Sequence, residues 1–173
     1  TAFYQTNGLN ITDIASDGAG NMMAVGWYYD TAASTQKGFV LYSNDGGNSF
    51  KEVVTPVGTV TPRPMVGVAY ANGYWLTRQQ GSSSQLSDTY WFTANPESGA
   101  MARMGNTTGI LAGYPGCSAH ESGAGCTMST PVNIAVVPHN GTPHFAIQAH
   151  YGSDVFSPTF ALVSAPSTAG LPT

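Results

Sequence analysis

The chain of 173 residues has a net charge of −4, and charged side chains make up only 8% of it, against roughly 25% in an ordinary soluble domain. Its length suits one domain, predicted to span residues 1–173. With five Lys and Arg residues, it lacks the basic surface that binds nucleic acids or anionic membranes. It also lacks the run of about 20 apolar residues needed for membrane insertion. Such a weakly charged, polar composition is typical of extracellular, cell-surface and virion proteins, and we predict that location.

Short apolar runs bounded by turn residues recur along the chain, whereas the apolar spacing of a long helix is missing. The first unit of such runs covers residues 9–56. Its predicted strands are residues 11–18, 22–29, 38–43 and 51–54, with a polar linker at 31–37.

The connection between the last two of these strands, Ser43 to Phe50, carries the strongest turn signal in the chain. Gly46 and Gly47 accept positive φ without steric cost. Asp45 can fold its carboxylate back onto backbone N–H groups of the turn. We therefore predict a hairpin turn that Asp45 holds in shape.

Within this octet, Ser43, Asp45 and Gly47 followed by Ser49 and Phe50 resemble the Asp-box, or BNR repeat, which ends in Thr and Trp. In that family the motif lies on the turn between the third and fourth strands of a β-propeller blade. It is a folding motif there, outside the active site. The resemblance implies a β-propeller-like fold, with Ser43, Asp45, Gly47 and Phe50 as structural turn residues.

Two further units repeat the order of strand, turn, aromatic-rich strand, polar linker and strand. They cover residues 63–105 and 130–166, and their first turns contain Asn72-Gly73 and Asn140-Gly141. The sequence thus predicts an all-β fold of three propeller-like, four-stranded antiparallel units. The alternative is a single β-sandwich or jelly roll, whose hairpins would produce similar repeats. Because a propeller ring needs about 4–8 blades, three units imply a homo-oligomer or a larger protein assembly.

The two cysteines, Cys117 and Cys126, flank a Gly-rich segment in a loop at 113–130. A disulfide would close this loop and would imply an oxidising compartment. The alternatives are two free thiols, or a metal site that also uses His120, although this cysteine spacing fits no common zinc site. Two other histidines, His144 and His150, would share one face of paired strands, but no carboxylate completes a metal site there. We predict no cofactor.

Sialidases carry Asp-boxes and bind a substrate carboxylate with three arginines. This chain has three, Arg63, Arg78 and Arg103, and Pro62-Arg63-Pro64 resembles the Arg-Ile-Pro segment of many sialidases. The other catalytic residues of that family, a Tyr with a Glu and an Asp, cannot be placed by motif. We therefore interpret the arginines as surface or interface residues and predict no catalytic residue.

Adjacent aromatic residues on the predicted strands must point to opposite faces of their sheets. In one interpretation they pack between the blades. In the other, Trp27, Tyr29, Trp75 and Trp91 form an exposed platform for sugar rings or for a protein partner.

These features together predict a non-catalytic structural or binding module of an extracellular surface or a particle, such as a virion, filament or surface layer. It would act in assembly or in glycan recognition, so a glycan is a second candidate partner. The alternative is a sialidase-like glycoside hydrolase fragment or subunit.

Overall fold

The computed structural model describes residues 8–54, 63–81, 89–106, 134–151 and 154–168. These residues form three antiparallel sheets, and within each sheet every strand pairs with the next strand along the chain. The all-β class and the division into three antiparallel units are therefore confirmed. The arrangement of these units as propeller blades stays a prediction.

The first sheet has four strands in the order β1-β2-β3-β4. They are β1 (Asn10–Ser16), β2 (Met22–Asp30), β3 (Thr35–Ser43) and β4 (Lys51–Glu52). Strand β3 begins earlier than predicted, because Gln36 and Lys37 pair with Tyr29 and Tyr28 across the hairpin. An ion pair between Lys37 and Asp30 fixes this register. The connection between β2 and β3 is therefore a tight turn at residues 31–34, shorter than the predicted linker at 31–37.

The second sheet also has four strands, and the described part of the third has three. The second contains β5 (Met65–Ala71), β6 (Tyr74–Gln79), β7 (Thr89–Thr93) and β8 (Ala102–Asn106), with a 3₁₀ turn at Pro96–Ser98. The third contains β9 (Ala135–His139), β10 (Thr142–Tyr151) and β11 (Asp154–Val163). The predicted fourth strand of the third unit thus has no counterpart among the described residues.

The first hairpins of the second and third sheets use the same turn. Asn72 and Gly73 have φ of 52° and 82°, and Asn140 and Gly141 have φ of 50° and 78°. Two successive residues of positive φ define the tight hairpin turn that Asn-Gly favours. The dipeptide therefore sets the register of both hairpins.

Two apolar cores hold the sheets together. Between the first and second sheets, side chains at alternate strand positions interlock, including Met23, Val25, Val40, Val68, Trp75 and Trp91. Between the second and third sheets the core includes Leu76, Tyr90, Phe145, Ile147 and Val163. The second sheet is therefore covered on both faces, as in a layered β structure.

The first strand of each sheet, here called a leading strand (β1, β5 and β9), lies next to the leading strand of the adjacent sheet. Two hydrogen bonds join β1 to β5. The Thr12 hydroxyl donates to the Met65 carbonyl at 2.6 Å, and the Val68 N–H donates to the Asp13 carboxylate at 3.0 Å. These bonds fix the position of the first sheet against the second at a bulge in β1.

Candidate functional site

One carboxylate holds the turn at residues 43–50, which connects β3 to β4. Asp45 Oδ1 accepts hydrogen bonds from the Ser43 hydroxyl (2.7 Å) and the Ser49 N–H (2.9 Å), and Oδ2 accepts from the Ser49 hydroxyl (2.6 Å). The Ser43 hydroxyl accepts in turn from the Gly47 N–H at 2.9 Å. The turn is thus cross-linked by side chains at both of its ends.

These donors lower the pKa of Asp45 from 3.8 to about 2, with the Ser49 hydroxyl contributing most and the Ser43 hydroxyl next. Hydrogen bonds to a carboxylate stabilise its ionised form. A carboxylate with so low a pKa and both oxygens occupied is a poor general acid or base near neutral pH. The geometry therefore gives Asp45 a structural role.

Two glycines and an aromatic residue complete this turn. Gly46 and Gly47 have φ of 73° and 88°, and the Gly46 N–H donates to the Gly20 carbonyl at 3.0 Å. That bond ties the turn to the one between β1 and β2. Phe50, where the Asp-box has Trp, is partly exposed.

The same turn contacts the second sheet across a small cleft. Asn44 Nδ2 donates to Glu97 Oε1 at 2.6 Å, and Val54 forms a short parallel bridge with Ala100. The cleft has a volume of about 70 Å³, well below the roughly 300–1,000 Å³ of small-molecule sites. Its lining includes Tyr42, Lys51, Glu52 and Glu97. The size of the cleft favours a contact between sheets over a ligand site.

The structure separates the four predicted platform aromatics into two pairs. Trp75 and Trp91 are only 3% and 2% exposed and lie between the first and second sheets. The Trp75 ring contacts Tyr42 and Tyr70, and Trp91 Nε1 donates to Gln79 Oε1 at 3.2 Å. Neither tryptophan has a free ring face, so both are core residues and neither serves as a sugar platform here.

Trp27 and Tyr29 lie two positions apart on β2 and therefore share one face of the first sheet. Tyr29 is 46% exposed. The hairpin beyond them is held by Asp30, which accepts from the Ala32 N–H at 2.9 Å and pairs with Lys37. The Lys37 hydrogen bond lowers the pKa of Asp30, and the same bond raises the pKa of Lys37. Trp27 is half-buried, so Tyr29 is the exposed member of the predicted platform.

The three arginines do not converge on one point. Arg78 is buried on β6 and, two positions after Leu76, lies on the face toward the third sheet. Arg103 is exposed and precedes Met104, which packs in the same core as Leu76, so Arg103 points to the opposite face. These two guanidinium groups cannot bind the same carboxylate.

Two of the histidines form a ring contact on the third sheet. His139 and His144 have ring centroids 5.3 Å apart and nearly perpendicular planes. Across the described ranges, no group of three or more His, Cys, Asp or Glu side chains could hold a metal ion. Cys117, His120 and Cys126 lie outside the described residues, as does the side chain of His150.

Sequence reasoning missed the side chains that join neighbouring sheets. Asp13 lies within β1, and its carboxylate accepts a hydrogen bond from the Val68 N–H of the second sheet. Asn72 was read only as a turn residue. Its amide donates to two carbonyls of the third sheet, Pro143 at 2.6 Å and Ser164 at 2.9 Å. The Asn-Gly dipeptide reveals the turn, whereas nothing local in the sequence reveals the contact.

Neither a protein-family model nor a curated protein matches this chain. In the part of the chain that the structure describes, no helix has the length and apolarity needed to cross a membrane.

Proposed function

We propose that this chain is a non-catalytic structural module of an extracellular surface or a particle, and that it acts by packing its sheets into a larger assembly. The observation that carries this proposal is the difference between the three leading strands. Strand β5, which has a neighbour on each side, is almost entirely buried. Strands β1 and β9 are mostly exposed and carry apolar side chains.

The use of the polar side chains supports a structural role. Asp45 and Asp30 hold turns, while Asp13 and Asn72 join neighbouring sheets. The separation of Arg78 from Arg103 speaks against a sialidase-type carboxylate site. Hydrolysis of a fluorogenic sialoside, lost on Arg63→Ala, would contradict the non-catalytic assignment.

The location can be tested with an antibody raised against the purified chain. Immunogold labelling of the source material should place the gold on the outer surface of cells, filaments or particles. Label confined to the cell interior would contradict the proposal.

Glycan recognition is the second candidate function, and Trp27 and Tyr29 favour it because they share a face on which sugar rings could stack. On a glycan array, the double variant Trp27→Ala/Tyr29→Ala should lose any binding that the native chain shows. Tyr28→Ala is the matched control, since Tyr28 lies on the opposite face of the same strand. An array without signal for the native chain leaves assembly as the proposed function.

A further inference from the structure

We propose that the partner in this assembly is a second copy of the chain, with β9 of each copy lying beside β1 of the other. This inference rests on the proposed structural function. Two copies with three sheets each would provide six, which falls within the range of about 4–8 blades in closed propellers. The two new contacts would be identical and related by a two-fold axis.

Residues at equivalent positions of β5 and β1 differ in burial. In the second sheet, Val68 of β5 faces the preceding sheet and is 4% exposed. In the first sheet, Ile14 of β1 faces away from the second sheet. Its pairing partner is Ala24, which lies on the face of the first sheet opposite to the core shared with the second sheet. Ile14 is 49% exposed and Ile11 on the same strand is 60% exposed. The first sheet therefore covers Val68 on β5, whereas no sheet among the described residues covers the equivalent residue Ile14 on β1.

The Asn-Gly turn of the second sheet recurs in the third sheet. Asn72 uses its side-chain amide to join the second sheet to the third, at Pro143 and at Ser164. Asn140 has the same place in the third sheet and nearly the same φ, and its amide contacts the neighbouring His139. The acceptor Ser164 directly follows β11, the third strand of the third sheet. The equivalent residue of the first sheet is Asn44, which directly follows its third strand, β3. The Asn44 carbonyl of a second copy is thus the matching acceptor for Asn140.

Strands β1 and β9 carry no like charges that would oppose this contact. Strand β9 contains no acidic or basic residue other than His139, and the one charged residue of β1, Asp13, binds the Val68 N–H. Apolar side chains predominate on β9, and on β1 the side chains of Ile11 and Ile14 are apolar and exposed. The two ends of one chain can therefore meet without like-charge repulsion, which is the main electrostatic barrier to self-association.

Sedimentation equilibrium of the purified chain tests this inference. We expect a species with twice the mass of one chain, and we expect Ile14→Lys and Asn140→Asp each to raise the dimer dissociation constant by about tenfold or more. Asn140→Asp keeps a residue that tolerates positive φ but replaces both N–H donors with a carboxylate. Val54→Lys is the matched control, because Val54 is 51% exposed and lies between the first two sheets, away from β1 and β9.

A native chain that stays monomeric at every concentration overturns the inference. A dimer that responds to only one of the two variants, or equally to Val54→Lys, also overturns it, because each contact must use Ile14 of one copy and Asn140 of the other. Circular dichroism confirms that each variant remains folded. Since the surface labelling described above does not depend on self-association, a monomer that labels a particle surface would refute this inference and leave the proposed function standing.

Discussion

Asp45 shows how one side chain can define a turn in a chain with few charges. Its two oxygens accept from both ends of an eight-residue connection, and the turn then touches the neighbouring hairpin through Gly46. Because the donors are hydroxyl and backbone N–H groups, the carboxylate is stabilised without a basic partner. This arrangement suits a protein with only five Lys and Arg residues.

We predict that Asp45→Ala lowers the melting temperature by several degrees, because the Ser43 hydroxyl and the Ser49 N–H lose their acceptor. Asp45→Asn should be milder, since the amide keeps one oxygen. Glu52→Ala, which removes a nearby exposed carboxylate on β4, is the control. Thermal unfolding followed by circular dichroism measures all three, and equal melting temperatures for Asp45→Ala and the control would refute the role given to Asp45.

The low pKa of Asp45 predicts acid sensitivity. Its folded-state pKa of about 2 lies below its ordinary value of 3.8, so the ionised form favours folding. This stabilisation is fully present above about pH 4 and is lost as the pH falls from about 4 to about 2. Melting temperatures across this range should fall less steeply for Asp45→Asn than for the native chain, and parallel curves would contradict the prediction.

At the scale of single residues, the sequence revealed the turns but not the contacts between sheets. The Ser43–Phe50 octet and the Asn-Gly dipeptides are local signals, since their φ requirements and side-chain hydrogen bonds lie within a few residues. The hydrogen bonds that Thr12, Asp13 and Asn72 form with other sheets join residues 53 to 92 positions apart along the sequence. No short sequence pattern encodes contacts at such separations. Burial of Trp75 and Trp91 depends in the same way on packing that a single strand does not specify.

Close packing of the first sheet against the second depends on a glycine in β3. A Cβ on Gly38 would lie 2.2 Å from the Arg63 carbonyl oxygen and 3.0 Å from the Met65 backbone N. These are backbone atoms at the start of β5, which cannot move aside as a flexible side chain can. Gly38 therefore sets the distance between β3 and the entry to the second sheet.

We predict that Gly38→Ala lowers the free energy of unfolding by about 1–3 kcal/mol, the usual cost of overpacking. Gly67→Ala on β5 is the matched control, because its Cβ would have no neighbour nearer than 3.7 Å. Urea unfolding of both variants gives the comparison. Equal stabilities would show that the two sheets are less tightly apposed than the structure indicates.

At the scale of strands, most elements were predictable. Alternating apolar residues and turn signals locate the strands of the first sheet to within a few residues. The beginning of β3 was placed too late because residues 31–37 look like a polar linker, whereas the Lys37–Asp30 ion pair extends the hairpin. Polar residues on an exposed hairpin end carry no apolar periodicity from which a strand could be predicted.

At the scale of the whole molecule, the three sheets form a series with unequal strands. The middle sheet is covered on both faces, and its leading strand is buried, whereas β1 exposes Ile11 and Ile14 and four of the five residues of β9 are exposed. Exposed apolar side chains grouped on particular strands mark surfaces that bind other proteins. We therefore propose that the assembly contacts lie at β1 and β9.

Hydrogen–deuterium exchange tests this central claim most directly. The exchange of peptides covering β1, β5 and β9 would be measured in the isolated chain and in the assembled form. We predict that β1 and β9 exchange several-fold more slowly after assembly, while β5 is protected equally in both. Unchanged exchange of β1 and β9 on assembly, with protection appearing elsewhere, would contradict the account.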